Sequence, residues 1–174
     1  MKIDIKKFFY SISHKYITQR LEKIIKCKST INLYKLFYEN PTGLGLPLGN
    51  VTSQVLANLA LTELDHFCKR NLKLKYYFRY MDDIIILAEN KSRLKESLRE
   101  ICKVLDKAEL EINNKTNIGK IANGIDFVGY KTWFNRRVIR KRSLYNIKKR
   151  LIKNPDIQRI RSEEHTSELQ SRQV

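Results

Sequence analysis

The sequence predicts an α+β fold, an antiparallel sheet covered by helices on one face as in the split βαβ arrangement. Three features predict it. Two runs rich in aromatic and β-branched residues, Lys75 to Arg79 and Ile84 to Ala88, flank Tyr80-Met81-Asp82-Asp83 and read as a β-hairpin with two carboxylates at its tip. A short strand, Lys2-Ile3-Asp4-Ile5, lies near the start of the chain. Elsewhere apolar residues recur every three or four positions, the spacing of amphipathic helices.

Taken in order, Lys6 to Tyr10 is a basic and aromatic step out of the first strand. From Ser13, which has N-cap chemistry, Tyr16, Ile17, Leu21, Ile24 and Ile25 trace a helix ending near residues 26–28. A second short helix over 31–38 stops at Asn40-Pro41, since the residue before proline is pushed out of the helical region. Thr42 to Asn50 then holds three of the six glycines and one of the three prolines, so it is a shaped loop. It leads into a helix expected to place Val55, Leu56, Leu59, Leu64 and Phe67 on one side. A glycine loop before a helix offers backbone N–H groups to phosphate, but the spacing is not that of a nucleotide-binding P-loop.

After the hairpin, Leu94, Leu98, Ile101, Leu105 and Ala108 mark an amphipathic helix with a solvated Lys/Glu face. Leu110-Glu111-Ile112 alternates as a strand does, Asn123-Gly124 signals a tight turn, and Ile125 to Tyr130 reads as another strand. From Arg136 to Arg150 the chain is sharply basic, and Ser143 has the chemistry to cap a helix running through Leu144, Ile147 and Leu151. Residues 161–174 have no apolar face and resemble the translation of a sequencing adapter, so they are set aside as a non-native tail. Without them the balance is 33 basic against 15 acidic residues.

At 174 residues the chain suffices for one domain with a real core, or for part of a larger one. A hydrophobic content of 42% excludes a disordered tail. The formal charge of +17 makes nucleic acid the first partner to consider and an anionic membrane surface the second. No apolar run approaches a membrane span and Met1-Lys2-Ile3-Asp4 has no signal-peptide core, so no membrane partner and a cytoplasmic location are expected. Cys27, Cys68 and Cys102 are odd in number and lack C-x-x-C spacing; they read as reduced thiols.

Two adjacent carboxylates repel unless a cation lies between them, so Asp82-Asp83 suggests a divalent-metal site, most simply Mg²⁺. Taken alone, such a pair is also what a solvated turn carries. Asp4 sits on a strand that can lie beside the hairpin, which would gather three carboxylates at one sheet edge. That is what two-metal phosphoryl transfer needs: one ion to activate a 3′-hydroxyl and one to steady the leaving pyrophosphate.

Five stretches then occur in order: Asp4-x-x-x-x-Phe9; Gly45-Leu46-Pro47-Leu48-Gly49-Asn50-x-Thr52-Ser53-Gln54-x-x-Ala57-Asn58-Leu59; Tyr80-Met81-Asp82-Asp83; Asn113-x-Lys115-Thr116; and Phe127-Val128-Gly129-Tyr130. Together, over roughly residues 1–150, they resemble the palm motifs of reverse transcriptases. The resemblance implies a polymerase palm over 1–135 and the start of a helical thumb over 136–160. It also implies an RNA template, a DNA primer and dNTPs as partners, two Mg²⁺ ions, and a small basic accessory protein as one further partner to consider.

Residue by residue, the resemblance implies that Asp4 and Asp82 are the main metal ligands, with Asp83 and the Ile5 carbonyl completing the set. Phe9 falls at the steric-gate position under the incoming sugar, although a core aromatic would look the same. Gln54 matches a residue contacting the nascent base pair, and Tyr80 lies beside the incoming substrate. Lys115 matches a lysine that protonates pyrophosphate; in so basic a chain it is otherwise a solvated lysine. Gly45, Pro47 and Gly49 of the loop are matched to nucleic-acid contact. Phe127, Gly129 and Tyr130 match the primer-grip hairpin, which the resemblance places over 127–130, and Arg136 and Arg137 would open a basic thumb helix on phosphates.

Leu48 and Ser53-Gln54 stand where group II intron and retron enzymes usually show glutamine and Ser-Pro, so the chain looks most like enzymes of diversity-generating retroelements. Those copy adenine with frequent errors. An intron or retron enzyme, a phage-defence polymerase and a non-catalytic nucleic-acid-binding module are the alternatives. In the family the fingers precede the first catalytic Asp, here residue 4, so the chain is expected to be a fragment, inactive alone.

Overall fold

A computed structural model describes residues 1–153, which fall in two compact units, one over 1–119 and one from residue 120 onward. The expected non-native tail lies outside the described residues. In the first unit the order is β1 (Lys2–Asp4), α1 (Phe8–Ser11), α2 (His14–Ile24), α3 (Lys28–Lys35), α4 (Val51–His66) ending in a π-turn (Phe67–Asn71), β2 (Tyr76–Tyr80), β3 (Asp83–Leu87) and α5 (Lys91–Lys107). The strands form one antiparallel sheet in the order β1-β3-β2.

The central strand β3 is the most apolar. Ile84 and Ile86 are fully buried and share a core with Ile3, with Ile17 and Leu21 of α2, with Leu56, Ala57, Ala60, Leu61 and Leu64 of α4, and with Leu94, Ile101 and Leu105 of α5. Each Leu and Ile among them contributes about 1.5–3 kcal/mol on burial. The opposite face carries Tyr76, Phe78 and Tyr80, all exposed, so the helices cover one face. An α+β sheet with helices on one face is therefore what the chain forms. Ser13 caps α2 by accepting from the Tyr16 N–H, as its chemistry predicts.

Three local expectations for this unit change. Val55 is exposed, and the buried face of α4 runs instead through Ser53, Leu56, Ala57, Ala60, Leu61 and Leu64; small residues let the helix lie close, which a search for large apolar positions overlooks. Leu110 to Ile112 makes only an isolated bridge, Ile5 to Ile112, because Leu110 turns into the core at the end of α5. The short helix α3 begins and ends three residues earlier than its apolar residues suggest, at Lys28 and Lys35.

The second unit holds a 3₁₀ turn (Ile121–Asn123), β4 (Ile125–Phe127), β5 (Tyr130–Thr132), β6 (Arg137–Ile139) and α6 (Lys141–Lys153), with sheet order β4-β5-β6. The single strand read from the residue pattern over 125–130 is a hairpin, in line with the one the resemblance implies over 127–130. Its turn is Val128-Gly129, both at positive φ (46° and 81°), the type I′ geometry that suits the strand twist. Asn123-Gly124 is a turn too, but it closes the 3₁₀ segment. Arg136 and Arg137 open no helix: Arg137 begins β6, and α6 starts only at Lys141, which places Ser143 inside the helix and not at its cap.

Candidate active site

Antiparallel pairing sets Asp4 opposite Asp83, and Asp83 opposite Tyr80. Directly paired residues point to the same face, so Asp4, Asp83 and Tyr80 form one row at the end of the sheet. Met81 and Asp82 make the two-residue turn beyond it. The half-buried Asp82 carboxyl is pushed up from its ordinary range, first by desolvation and then by the negative charge of Asp83 and of Asp4. All three acids predicted as ligands are therefore in electrostatic contact.

Lys2, two residues before Asp4 on the same face, places Nζ 2.9 Å from Asp83 Oδ1. Its ammonium supplies part of the positive charge that the acidic row calls for. The donors are hard carboxylate oxygens that raise one another's affinity for a cation, and in kind they suit a divalent ion. Among the described residues, however, no three acidic, His or Cys side chains are drawn into one ligating cluster.

The turn is held in an unfavourable shape. Met81 takes φ 51°, a left-handed conformation that costs a non-glycine residue about 1–2 kcal/mol. What secures it lies behind the sheet. Arg79 donates to Asp65 of α4 through Nε (2.8 Å) and Nη2 (2.6 Å), to Asn58 Oδ1 (2.9 Å) and to the Met81 carbonyl (3.2 Å). Tyr77 adds a hydroxyl bond of 2.6 Å to Asp65, and burial together with that carboxylate pushes its pKa upward.

On the outer edge of β1, residues 111–117 run alongside. The Asn113 N–H donates to the Asp4 carbonyl (2.7 Å), and Lys2 and Asn117 exchange two backbone bonds (2.8 and 3.0 Å). Lys115, exposed, belongs to this segment, and buried Ile5 bridges to it through Ile112. The sheet thus brings Asp4, Ile5, Asp82, Asp83, Tyr80 and the Lys115 segment to one end.

Phe9 lies just beyond β1, half-buried against the core and edge-on to Phe8 at 5.6 Å. Its carbonyl accepts from the Leu46 N–H (2.7 Å), and the Gly45 N–H donates to Ile12 (2.8 Å). Gly45 itself has φ 86°, with the Tyr10 backbone so near that an added Cβ would lie 3.3 Å from its oxygen. Buried His14 seals the contact, its Nε2 2.7 Å from the Gly45 carbonyl. Pro47 and Gly49 are exposed, and Gln54 is exposed on the first turn and a half of α4.

In the second unit, Phe127 pairs with Tyr130 across the Val128-Gly129 turn, and the Gly129 carbonyl accepts from the Arg140 N–H (2.9 Å). Arg136 and Arg137 stack on Trp133 and Tyr130. Lys2, Arg79 and Asp65 were not among the predicted site residues. An arginine two residues from Tyr77, on the partly buried face of β2 opposite Tyr76, Phe78 and Tyr80, was the available signal for Arg79; nothing in the sequence distinguished Lys2 from its many peers.

A profile of the family described as reverse transcriptase (RNA-dependent DNA polymerase) matches residues 1–132. A Saccharomyces cerevisiae protein assigned to intron 1 of COX1/OXI3 is 34% identical over an 85-residue alignment that takes in 42% of this chain and 10% of that protein. The fold is similar to apo telomerase from Candida tropicalis truncated from its C-terminal domain (TM-score 0.58, 16% identity, 80% of this chain, 35% of that one). It is similar also to Candida albicans telomerase in complex with a TWJ fragment of telomeric RNA (TM-score 0.53, 13% identity, 75% of this chain, 28% of that one). The chain thus spans about a tenth of the intron protein and about a third of each telomerase.

Proposed function

This chain belongs to the reverse transcriptase (RNA-dependent DNA polymerase) family, and on that premise we propose that it supplies the palm of an RNA-directed DNA polymerase, a nucleotidyltransferase extending a primer 3′-hydroxyl with dNTPs. The observation that carries the reading is the cross-strand row Asp4, Asp83 and Tyr80 with Asp82 in the adjoining turn. A module that only bound nucleic acid would gain nothing from three acids at one edge, since they repel phosphate.

Asp4 and Asp82, with Asp83 and the Ile5 carbonyl, would hold two Mg²⁺ ions, which supply the acidity that ionises the attacking hydroxyl and the charge that steadies pyrophosphate. Lys2 keeps Asp83 aimed along the sheet face. Arg79 fixes the turn that carries Asp82. Phe9, tied by its backbone to the glycine loop, stands as the sugar-side wall; Gln54 reads the nascent pair; Lys115 delivers a proton to the leaving pyrophosphate.

The similarity to an intron protein and to telomerases supports an intron or retron-like polymerase over a diversity-generating one. The RNA in the Candida albicans assembly supports an RNA template as partner here. The test is primer extension by the full-length parent on primed RNA with Mg²⁺. Extension abolished by Asp82→Asn is expected, whereas RNA binding with no extension by the parent would sink the proposal. Accurate copying of template adenine is expected of the intron-like enzyme; frequent errors there would return the assignment to the diversity-generating type.

A further inference from the structure

The turn joining β5 to β6, Trp133-Phe134-Asn135-Arg136, is closed by the Trp133 N–H donating to the Arg136 carbonyl (2.8 Å). At its tip Phe134 is fully exposed, at 104% of its reference area, and so contributes nothing to any core. Around it the aromatic rings are arranged with cations. Lys131 Nζ lies 5.2 Å and Arg136 Cζ 4.6 Å from the Trp133 ring, and Arg137 Cζ lies 5.6 Å from the Tyr130 ring. Trp133 is held by close packing: a Cβ added to Gly124, at φ 78°, would fall 2.6 Å from the indole. All three residues of β6 are exposed.

The charge is one-sided. From residue 120 to residue 153 the sequence has eleven Lys and Arg and one acid, Asp126, which is paired with Arg140 at 3.2 Å. A fully solvated phenyl ring beside Trp133, Arg136 and Arg137 is well suited to a polyanion that presents flat apolar faces. Nucleic acid with unpaired bases has that chemistry: phosphates for the cations and a base for the ring. RNA is the polyanion in which unpaired bases are ordinary, exposed in loops and single strands and stacked on aromatic rings and guanidinium planes by proteins that read them.

We propose that this turn is an RNA-contact site in which Phe134 stacks on an unpaired base while Arg136 and Arg137 engage the flanking phosphates. It is distinct from the Val128-Gly129 turn at the other end of β5, about 15 Å away for an extended run from Gly129 to Phe134. The contact needs no catalysis, so it stands or falls separately from the polymerase reading.

The test uses the 174-residue chain and a fluorescein-labelled RNA of about 12 unpaired nucleotides, followed by anisotropy. Phe134→Ala is expected to weaken binding about fivefold or more, and Phe134→Tyr, which keeps the ring, by less than about twofold. An RNA of the same length with abasic sites should bind the unaltered chain no better than intact RNA binds Phe134→Ala. Trp133, the single tryptophan, gives a second readout. Its emission should match in the free Ala variant and the unaltered chain if the turn stays folded, and should change on RNA addition. Equal binding by a folded Phe134→Ala chain, or no discrimination between intact and abasic RNA, would overturn the proposal. So would tighter binding of the matching DNA strand.

Discussion

Lys2 Nζ and Asp83 Oδ1 lie 2.9 Å apart on the sheet face that also carries Asp4. An internal cation therefore already pairs with one of the three acids at this edge, and at the proposed metal site it would compete with a divalent ion from solution. Lys2→Met leaves the row with more negative charge. Mn²⁺ affinity, followed by electron paramagnetic resonance, is expected to rise severalfold, while stability falls by about 1 kcal/mol or less, since both side chains are partly exposed. Unchanged or weaker Mn²⁺ binding would mean that Lys2 is a bystander.

Arg79 is the residue whose loss should matter most to the first unit. Its side chain is 12% exposed and bonds Asp65, Asn58 and the Met81 carbonyl at once. Lysine keeps the charge and loses the planar fork. Arg79→Lys should cost about 2–3 kcal/mol, read as a fall in unfolding midpoint of about 5–10 °C. Extension by the full-length parent should fall with it, because Asp82 loses its fixed turn.

Val128 is a β-branched residue at φ 46°, a conformation asparagine adopts far more readily. Val128→Asn creates the Asn-Gly pair favoured in type I′ turns and should stabilise the second unit by about 1 kcal/mol, seen as slower amide exchange in β4 and β5. If the strain serves primer contact, the same change will weaken extension by the parent. Faster exchange would contradict the turn assignment.

Cys27 and Cys68 should react in a fixed order. Cys27 is exposed, and hydroxyl hydrogen bonds from Ser29 and Thr30 draw its pKa down to about 7. Its alkylation rate should climb through that pH, since the thiolate is the nucleophile. Burial pushes Cys68 up to about 12, so it should resist alkylation until the chain unfolds. Linkage gives the sign for stability: below pH 9 the Cys68 thiol is neutral folded and unfolded, and between 9 and about 12 only the unfolded chain ionises, so stability declines across that window.

The parts of the fold written in periodicity were legible. Leu94, Ile101 and Leu105 recur at helical spacing and are buried where expected. The acids at 4, 82 and 83 could be placed on one edge because a hairpin and a third strand allow few registers. What the sequence hid depends on partners distant in the chain. The pairing of Arg79 with Asp65 exists only once α4 lies across β2. Residue pattern alone reads Ile125 to Tyr130 as one strand because valine belongs in strands; the hairpin at Val128-Gly129 was legible only through the resemblance. Arg136 and Arg137 looked like the head of a helix because charge alone does not separate a basic strand from a basic helix.

The bond from Arg79 to α4 has a mechanical consequence. Gln54 and Asp65 ride on the same helix, about 16 Å apart along its axis. A rigid rod with Gln54 at one end and the hairpin's anchor near the other has the form of a lever. On the proposal that Gln54 reads the nascent pair, a tilt imposed there by an ill-fitting base pair would be delivered through Arg79 to the carbonyl of Met81 and hence to Asp82. Checking the pair and aligning the acids would then be one motion, with no separate signal to pass between them.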